Sequence, residues 1–155
     1  MDLRARLGLE HPLLQAGFAA GMAGPELAAA VSRAGGIGTL VLVSPRRLVE
    51  SVARARALAP GKPIAVNLLL PFTTKAHVRA CVEARPDAVV LFFGRAPRAV
   101  AALKRAGVYV LHQIGTPEQA RLALADGCDA IVAQGADAGG HLLGGVAARE
   151  LFPRV

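Results

Sequence analysis

The residues best suited to chemistry in this 155-residue chain lie in one run, Ala130-Ile131-Val132-Ala133-Gln134-Gly135-Ala136-Asp137-Ala138-Gly139-Gly140-His141. An apolar stretch of strand length ends on a carboxamide, small residues follow, two glycines stand together, and a histidine closes the segment. An imidazole has an ordinary pKa near neutral pH, so His141 is the natural candidate for taking up or releasing a proton during a reaction. Gly139 and Gly140 carry no side chains and allow the backbone to approach a flat ligand closely. The order reads as a buried strand that delivers its C-terminal end, and a flexible loop behind it, to a ligand.

The elements that must position this run follow from periodicity. Apolar runs of strand length recur at Pro12–Ala16, Ile37–Leu42, Ile64–Leu70, Ala88–Phe93, Val108–His112 and Ala130–Ala133. Helical stretches with start and stop signals lie between them. Gly24-Pro25 opens the first helix and Gly35-Gly36 ends it, proline being tolerated at the first helical position because its missing N–H has no intrahelical partner there. Ser44-Pro45 begins the second, with Leu48, Val49, Val52 and Ala55 as its inward stripe. Thr74 is placed to cap the third, Pro97 opens a fourth that stops at Gly107, and Thr116-Pro117-Glu118-Gln119 has the form of a capping box for a fifth closed by Gly127. A further helix is expected to begin within residues 147–155.

Alternating strands and helices indicate an α/β fold with a parallel sheet. The third to sixth strands are apolar almost throughout, as expected of strands covered on both faces in a doubly wound sheet or a (β/α) barrel. The strand ends decide between these. They carry Gln15, Leu42 to Ser44, Asn67, Phe93-Gly94, His112-Gln113 and Gln134, and four of the six offer a polar side chain where a barrel gathers its functional groups. Gly17-Phe18-Ala19-Ala20-Gly21 lacks the GxGxxG spacing of a dinucleotide loop, and no acid ends the second strand. The expectation is a single domain over residues 1–155, a parallel (β/α) TIM-barrel type holding about six of eight βα units, since a typical barrel needs about 250 residues.

Composition narrows the function classes. The chain is 54% hydrophobic, with 4% aromatic residues and no Trp, so it is a folded domain whose core is built from Ala, Val, Leu and Ile. The formal charge of +7 is spread along helical stretches, at Arg46, Arg47, Arg54 and Arg56, at Arg79 and Arg85, and at Arg98, Lys104 and Arg105. Without a basic cluster interleaved with aromatics, no nucleic-acid partner is expected. Cys81 and Cys128 stand far apart and are expected as buried free thiols, which points to a cytoplasmic location. The N-terminus, with Asp2, Arg4 and Arg6, has no apolar segment for a signal peptide or membrane span. No metal is expected, because no His, Cys, Asp or Glu set has ligand spacing. His112 is expected in the core or at a strand end, and His11 and His77 at the surface.

Several of these stretches resemble a known family, in the same order over nearly the whole chain. They are Gln15-Ala16, Pro25-Glu26-Leu27-Ala28-Ala29-Ala30-Val31-Ser32 with Ala34-Gly35-Gly36-Ile37-Gly38, Val66-Asn67-Leu68, and Ala133-Gln134-Gly135 through Ala138-Gly139-Gly140-His141. They are similar to the nitronate monooxygenases, formerly called 2-nitropropane dioxygenases. The resemblance implies an FMN-binding TIM barrel in which Asn67 hydrogen-bonds the polar edge of the flavin. It further implies that Gln113, Gln134, Gly139 and Gly140 lie against the FMN and that His141 is the catalytic base. Three features depart from the family: Gly17-Phe18 stands where Pro-Met is usual, Asp137 replaces a common glutamate, and the glycine-rich turns after strands seven and eight, which hold the FMN phosphate, do not occur in the 155 residues. The chain is therefore expected to be C-terminally shortened relative to the family.

The activity implied is FMN-dependent oxidation of alkyl nitronates, or related small molecules, by molecular oxygen. Two alternatives stand beside it. One is a non-catalytic barrel remnant, or one part of a split flavoenzyme, whose open edge would pair with a second copy or a complementing chain. The other is a flavin-dependent enoyl-acyl carrier protein reductase, a close relative within the family.

Overall fold

The computed structural model describes residues 3–18 and 22–155; Asp2 and the part of the first loop at residues 19–21 lie outside the described residues. The chain runs α1 (Leu3–Leu7), α2 (Pro25–Arg33), β1 (Gly38–Leu40), α3 (Pro45–Leu58), β2 (Ile64–Leu69), α4 (Lys75–Ala84), β3 (Ala88–Phe92), α5 (Pro97–Arg105), β4 (Tyr109–Ile114), α6 (Pro117–Ala125), β5 (Ala130–Ala133) and α7 (Ala148–Leu151), with short 3-10 turns after β2 and α7. Each of the five predicted helices forms. Pro25, Pro45, Pro97 and Pro117 all stand in the first helical turn.

The caps differ in detail from the sequence expectation. Ser44 makes no side-chain capping bond, so α3 starts on Pro45 alone. At α6, Thr116 Oγ1 accepts the Gln119 N–H at 3.1 Å as a capping box requires, but the Gln119 carboxamide accepts from Gly115 N–H at 2.7 Å, one residue further back.

The sheet is wholly parallel and its strands lie in sequence order, β1-β2-β3-β4-β5. A doubly wound sheet reverses its order at a switch point; this one does not, and it therefore forms the wall of an incomplete (β/α) barrel. The expected first strand is reduced to one parallel bridge, Leu14 with Ile37. Beyond it the Gln15 carboxamide takes over the ladder, donating to Thr39 C=O at 3.2 Å and accepting from Thr39 N–H at 3.4 Å. The strand at Pro12–Ala16 thus ends early because a side chain substitutes for its next rung.

Alternate residues of each strand enter two cores. Val66, Leu68, Val89, Leu91, Val110 and Ile114 pack with the helices, through residues such as Leu48, Val52 and Leu103. Ala65, Ala88, Val90, Tyr109 and Leu111 face the inner side, where Leu7 and Leu9 close the bottom. Burial of this kind is worth roughly 25 cal/mol per Å² of apolar surface. It is the main term that holds the strand ends in place.

Candidate active site

Asn67 has the inner-face parity of Ala65 and lies in register with Val90 of β3. It is 5% exposed, and its Oδ1 has no hydrogen-bond partner among the described residues, a condition shared by Thr39 Oγ1. A buried acceptor left unpaired costs about 1–3 kcal/mol, so Asn67 stands ready to accept from a bound donor. The chain after the first bridge passes directly over it. A Cβ at Gly17 would come within 2.6 Å of Asn67 Cβ, so only glycine fits this close approach without a shift.

β4 continues to Ile114, past the expected end at His112. Gln113 therefore lies inside the strand, half-buried, in register with Val132 and with the inner parity of Tyr109 and Leu111. His112 has the opposite parity and faces the helices. It is buried, hydrogen-bonds the Gly94 backbone, and brings Nδ1 to 3.9 Å from Cys128 Sγ. Burial lowers its pKa below the ordinary histidine value, outweighing the opposing effects of the Gly94 bond and of Asp126. Burial likewise pushes the Cys128 thiol up to about 11 and Cys81 up to about 12, so neither is a nucleophile near neutral pH.

Gln134 continues the ladder of β5 by donating its N–H to Ile114 C=O at 2.7 Å. Its side chain is buried and turns toward the following loop, donating to His141 C=O at 2.9 Å and accepting from Leu143 N–H at 3.2 Å. At the loop's tip Gly139 and Gly140 have open space around them, Gly140 at a positive φ of 81°, and His141 is exposed. Asp137 Oδ1 accepts from Ala148 N–H at 2.8 Å, and backbone hydrogen bonding holds its carboxyl below the usual range.

One member of this constellation carries no polar signal in the sequence. The Phe93 ring meets the His141 ring edge-on, with centroids 6.3 Å apart and planes at 77°. Phe93 has φ 60° outside any helix cap, a conformation that costs a bulky residue about 1–3 kcal/mol and persists where surrounding contacts enforce it. On the segment that follows, Arg95 Nε and Nη2 make a paired interaction with Asp126, whose side chain is 2% exposed, at 2.8 and 2.5 Å. Only the position of Phe93 at the end of an apolar run hinted at such a role.

The structure thus brings Asn67, Gln113, Gln134 and the His141 loop to the C-terminal ends of β2, β4 and β5, while Gln15 spends its carboxamide on the sheet. Two open clefts lie at the opposite end, around Leu7 and Asp87. Among the described residues there is no group of three or more His, Cys, Asp or Glu able to hold a metal ion, and no helix long and apolar enough to cross a membrane.

Comparison with known proteins decides the family. The nitronate monooxygenase profile matches residues 3–79 and 70–152. The chain belongs to the nitronate monooxygenase family. Among its relatives, a (3aS,4S,5R,7aS)-5-hydroxy-7a-methyl-1-oxo-octahydro-1H-indene-4-carboxyl-CoA dehydrogenase of Rhodococcus jostii is 34% identical, over 96% of this chain and 42% of its own length. A nitronate monooxygenase of Pseudomonas aeruginosa is 35% identical, over 87% of this chain and 50% of its own. The solved structure of FabK from Thermotoga maritima superposes with a TM-score of 0.89 at 30% identity, covering 99% of this chain and 50% of that one. The chain spans 42% to 50% of the length of these three relatives.

FMN is the cofactor of the family, and the residues present fit a flavin ring. Asn67 offers a buried acceptor without a partner among the described residues, as an edge N–H of the ring requires. The free space around Gly139 and Gly140 leaves their backbone open to a flat group.

Proposed function

We propose that this chain forms the ring-binding and proton-handling part of an FMN-dependent oxidoreductase acting at a carbon next to an electron-withdrawing group. The observation that carries the reading is the buried Asn67 Oδ1 on the inner face, without a partner among the described residues, at the same end of the sheet as the His141 loop. When bound, the flavin supplies the electron chemistry. The protein's own residues bind and orient: Asn67 and Gln113 present amides to the polar edge of the ring, and the backbone at Gly139 and Gly140 approaches its face. His141, exposed on the loop and backed by Phe93, takes the proton next to the activating group. With a preformed nitronate, which has no such proton, His141 acts by orientation and charge.

The substrate reading divides between two classes. Alkyl nitronates are suggested by the profile match and by the nitronate monooxygenase of P. aeruginosa. Acyl thioesters are favoured by the CoA dehydrogenase of R. jostii, whose likeness extends over 96% of this chain against 87%. Anaerobic spectroscopy of the FMN-loaded chain separates them. Bleaching of the flavin band by an alkyl nitronate supports the first. Bleaching by NAD(P)H that an enoyl thioester then reverses supports the second. A flavin unaffected by either reductant contradicts the proposed activity.

A further inference from the structure

We infer that Gln134 is a positioning residue for His141, holding the histidine loop by the backbone of His141 and Leu143, just after the Gly139-Gly140 tip; its catalytic consequence rests on the proton role proposed for His141. The loop needs such a post. Residues 135–147 contain Gly139, Gly140, Gly144 and Gly145 besides Gly135, and glycine loses more conformational freedom on ordering than any other residue. The base of the loop is fixed by other means: Ala136 N–H donates to Val146 C=O at 2.8 Å, Asp137 holds Ala148 N–H, and Gly144 lies so close to Gly115 that a Cβ there would come 2.3 Å from the Gly115 carbonyl oxygen. None of these reaches the tip.

Gln134 does reach it. A primary carboxamide presents an N–H donor and a C=O acceptor side by side, as the N–H and C=O of a single strand residue do. Donating to His141 C=O and accepting from Leu143 N–H, it forms a rung with the loop like those of a strand pair. The Gln15 carboxamide does the same with the two backbone groups of Thr39, so the fold uses this device twice. The post itself is rigid: Gln134 is buried, and its own N–H is fixed to Ile114 C=O. With the His141 carbonyl held from below, the imidazole is left to meet the edge of Phe93. One amide N–H and one acceptor lone pair of Gln134 remain for a ligand, so the anchoring role is compatible with contact to a ring.

Amide hydrogen exchange of the purified chain, followed by NMR, tests the assignment without depending on activity. In Gln134→Leu, Leu143 N–H is expected to exchange faster on the order of fivefold to tenfold, the loss expected for one hydrogen bond, while Val110 and Val132 on the neighbouring strands keep their rates. Gln134→Glu retains an acceptor and should keep Leu143 protected. It places a carboxylate against His141 C=O, so turnover in this variant should recover as acid protonates that carboxylate and restores the donor. Gln134→Glu also serves if the leucine variant does not fold. Unchanged Leu143 exchange in Gln134→Leu, or equal loss of protection in both variants, overturns the inference. A chain that binds no flavin would defeat the proposed function and leave the exchange result standing, so the two failures are distinguishable.

Discussion

At the N-terminal end of the sheet, Asp87 and Asp129 occupy equivalent places just before β3 and β5, and each brackets a residue of the strand beside it. Asp87 donates its N–H to Ile64 C=O and accepts Ile64 N–H on its carboxylate, both at 2.9 Å; Asp129 does the same with Val110 at 2.8 and 2.9 Å. Arg56 and Lys104 stand against the two carboxylates, and Arg6 lies over the Tyr109 ring. At the C-terminal end the corresponding groups are left open or strained: Asn67 Oδ1 has no partner among the described residues, Phe93 sits at positive φ, and His141 is exposed on a glycine-rich tip. The fold thus places its stability at the N-terminal end of the sheet and keeps its binding capacity at the C-terminal end, as barrels do.

Two changes probe the comparison, the larger at the satisfied end. Asp87→Ala leaves the buried Ile64 N–H without its acceptor and should lower unfolding stability by about 1–3 kcal/mol, read from urea denaturation. Asp87→Asn, which keeps an oxygen acceptor, should lose less. Flavin affinity of the folded fraction should stay unchanged in both, and a loss of affinity without loss of stability would erase the division between the two ends.

A smaller effect is expected from acid at His112, which supports the Phe93 loop. Burial keeps its folded pKa below the ordinary 6.5. The unfolded chain therefore gains a proton as pH falls through that value while the folded chain resists, so acidification favours unfolding until the lowered folded pKa is itself reached. Above pH 6.5 the contribution vanishes. His112→Gln should flatten the stability profile below this value. An identical pH slope in the two proteins would show that His112 does not hold the proton difference.

Much of the scaffold was legible because the signals are local. Pro25, Pro45, Pro97 and Pro117 mark helix starts by their fixed φ, and the apolar runs of β2 to β5 match the observed strands to within two residues. The side to which each polar strand-end residue points was not legible. Side chains alternate along a strand, so the two-residue extension of β4 past His112 and its pleat decide that Gln113 faces inward and His112 outward. Nor could spacing show that Gln15 and Gln134 spend their carboxamides on backbone groups while Asn67 Oδ1 has no partner among the described residues. That outcome depends on where neighbouring chain segments diverge, a tertiary property. Phe93 was hidden for a related reason, since its positive φ and its ring contact with His141, 48 residues further on, are tertiary features.

Binding of a flavin ring at the open end of the sheet through Asn67 can be read from a flavin titration. FMN added to the purified chain should bind saturably with a shift of its visible band. Asn67→Leu should weaken that affinity about tenfold, the loss expected for one buried hydrogen bond, while its folding stability holds or rises because a buried acceptor with no partner among the described residues has been removed. A chain that shows no saturable FMN binding, or a leucine variant that binds FMN as tightly as the parent, would contradict the account.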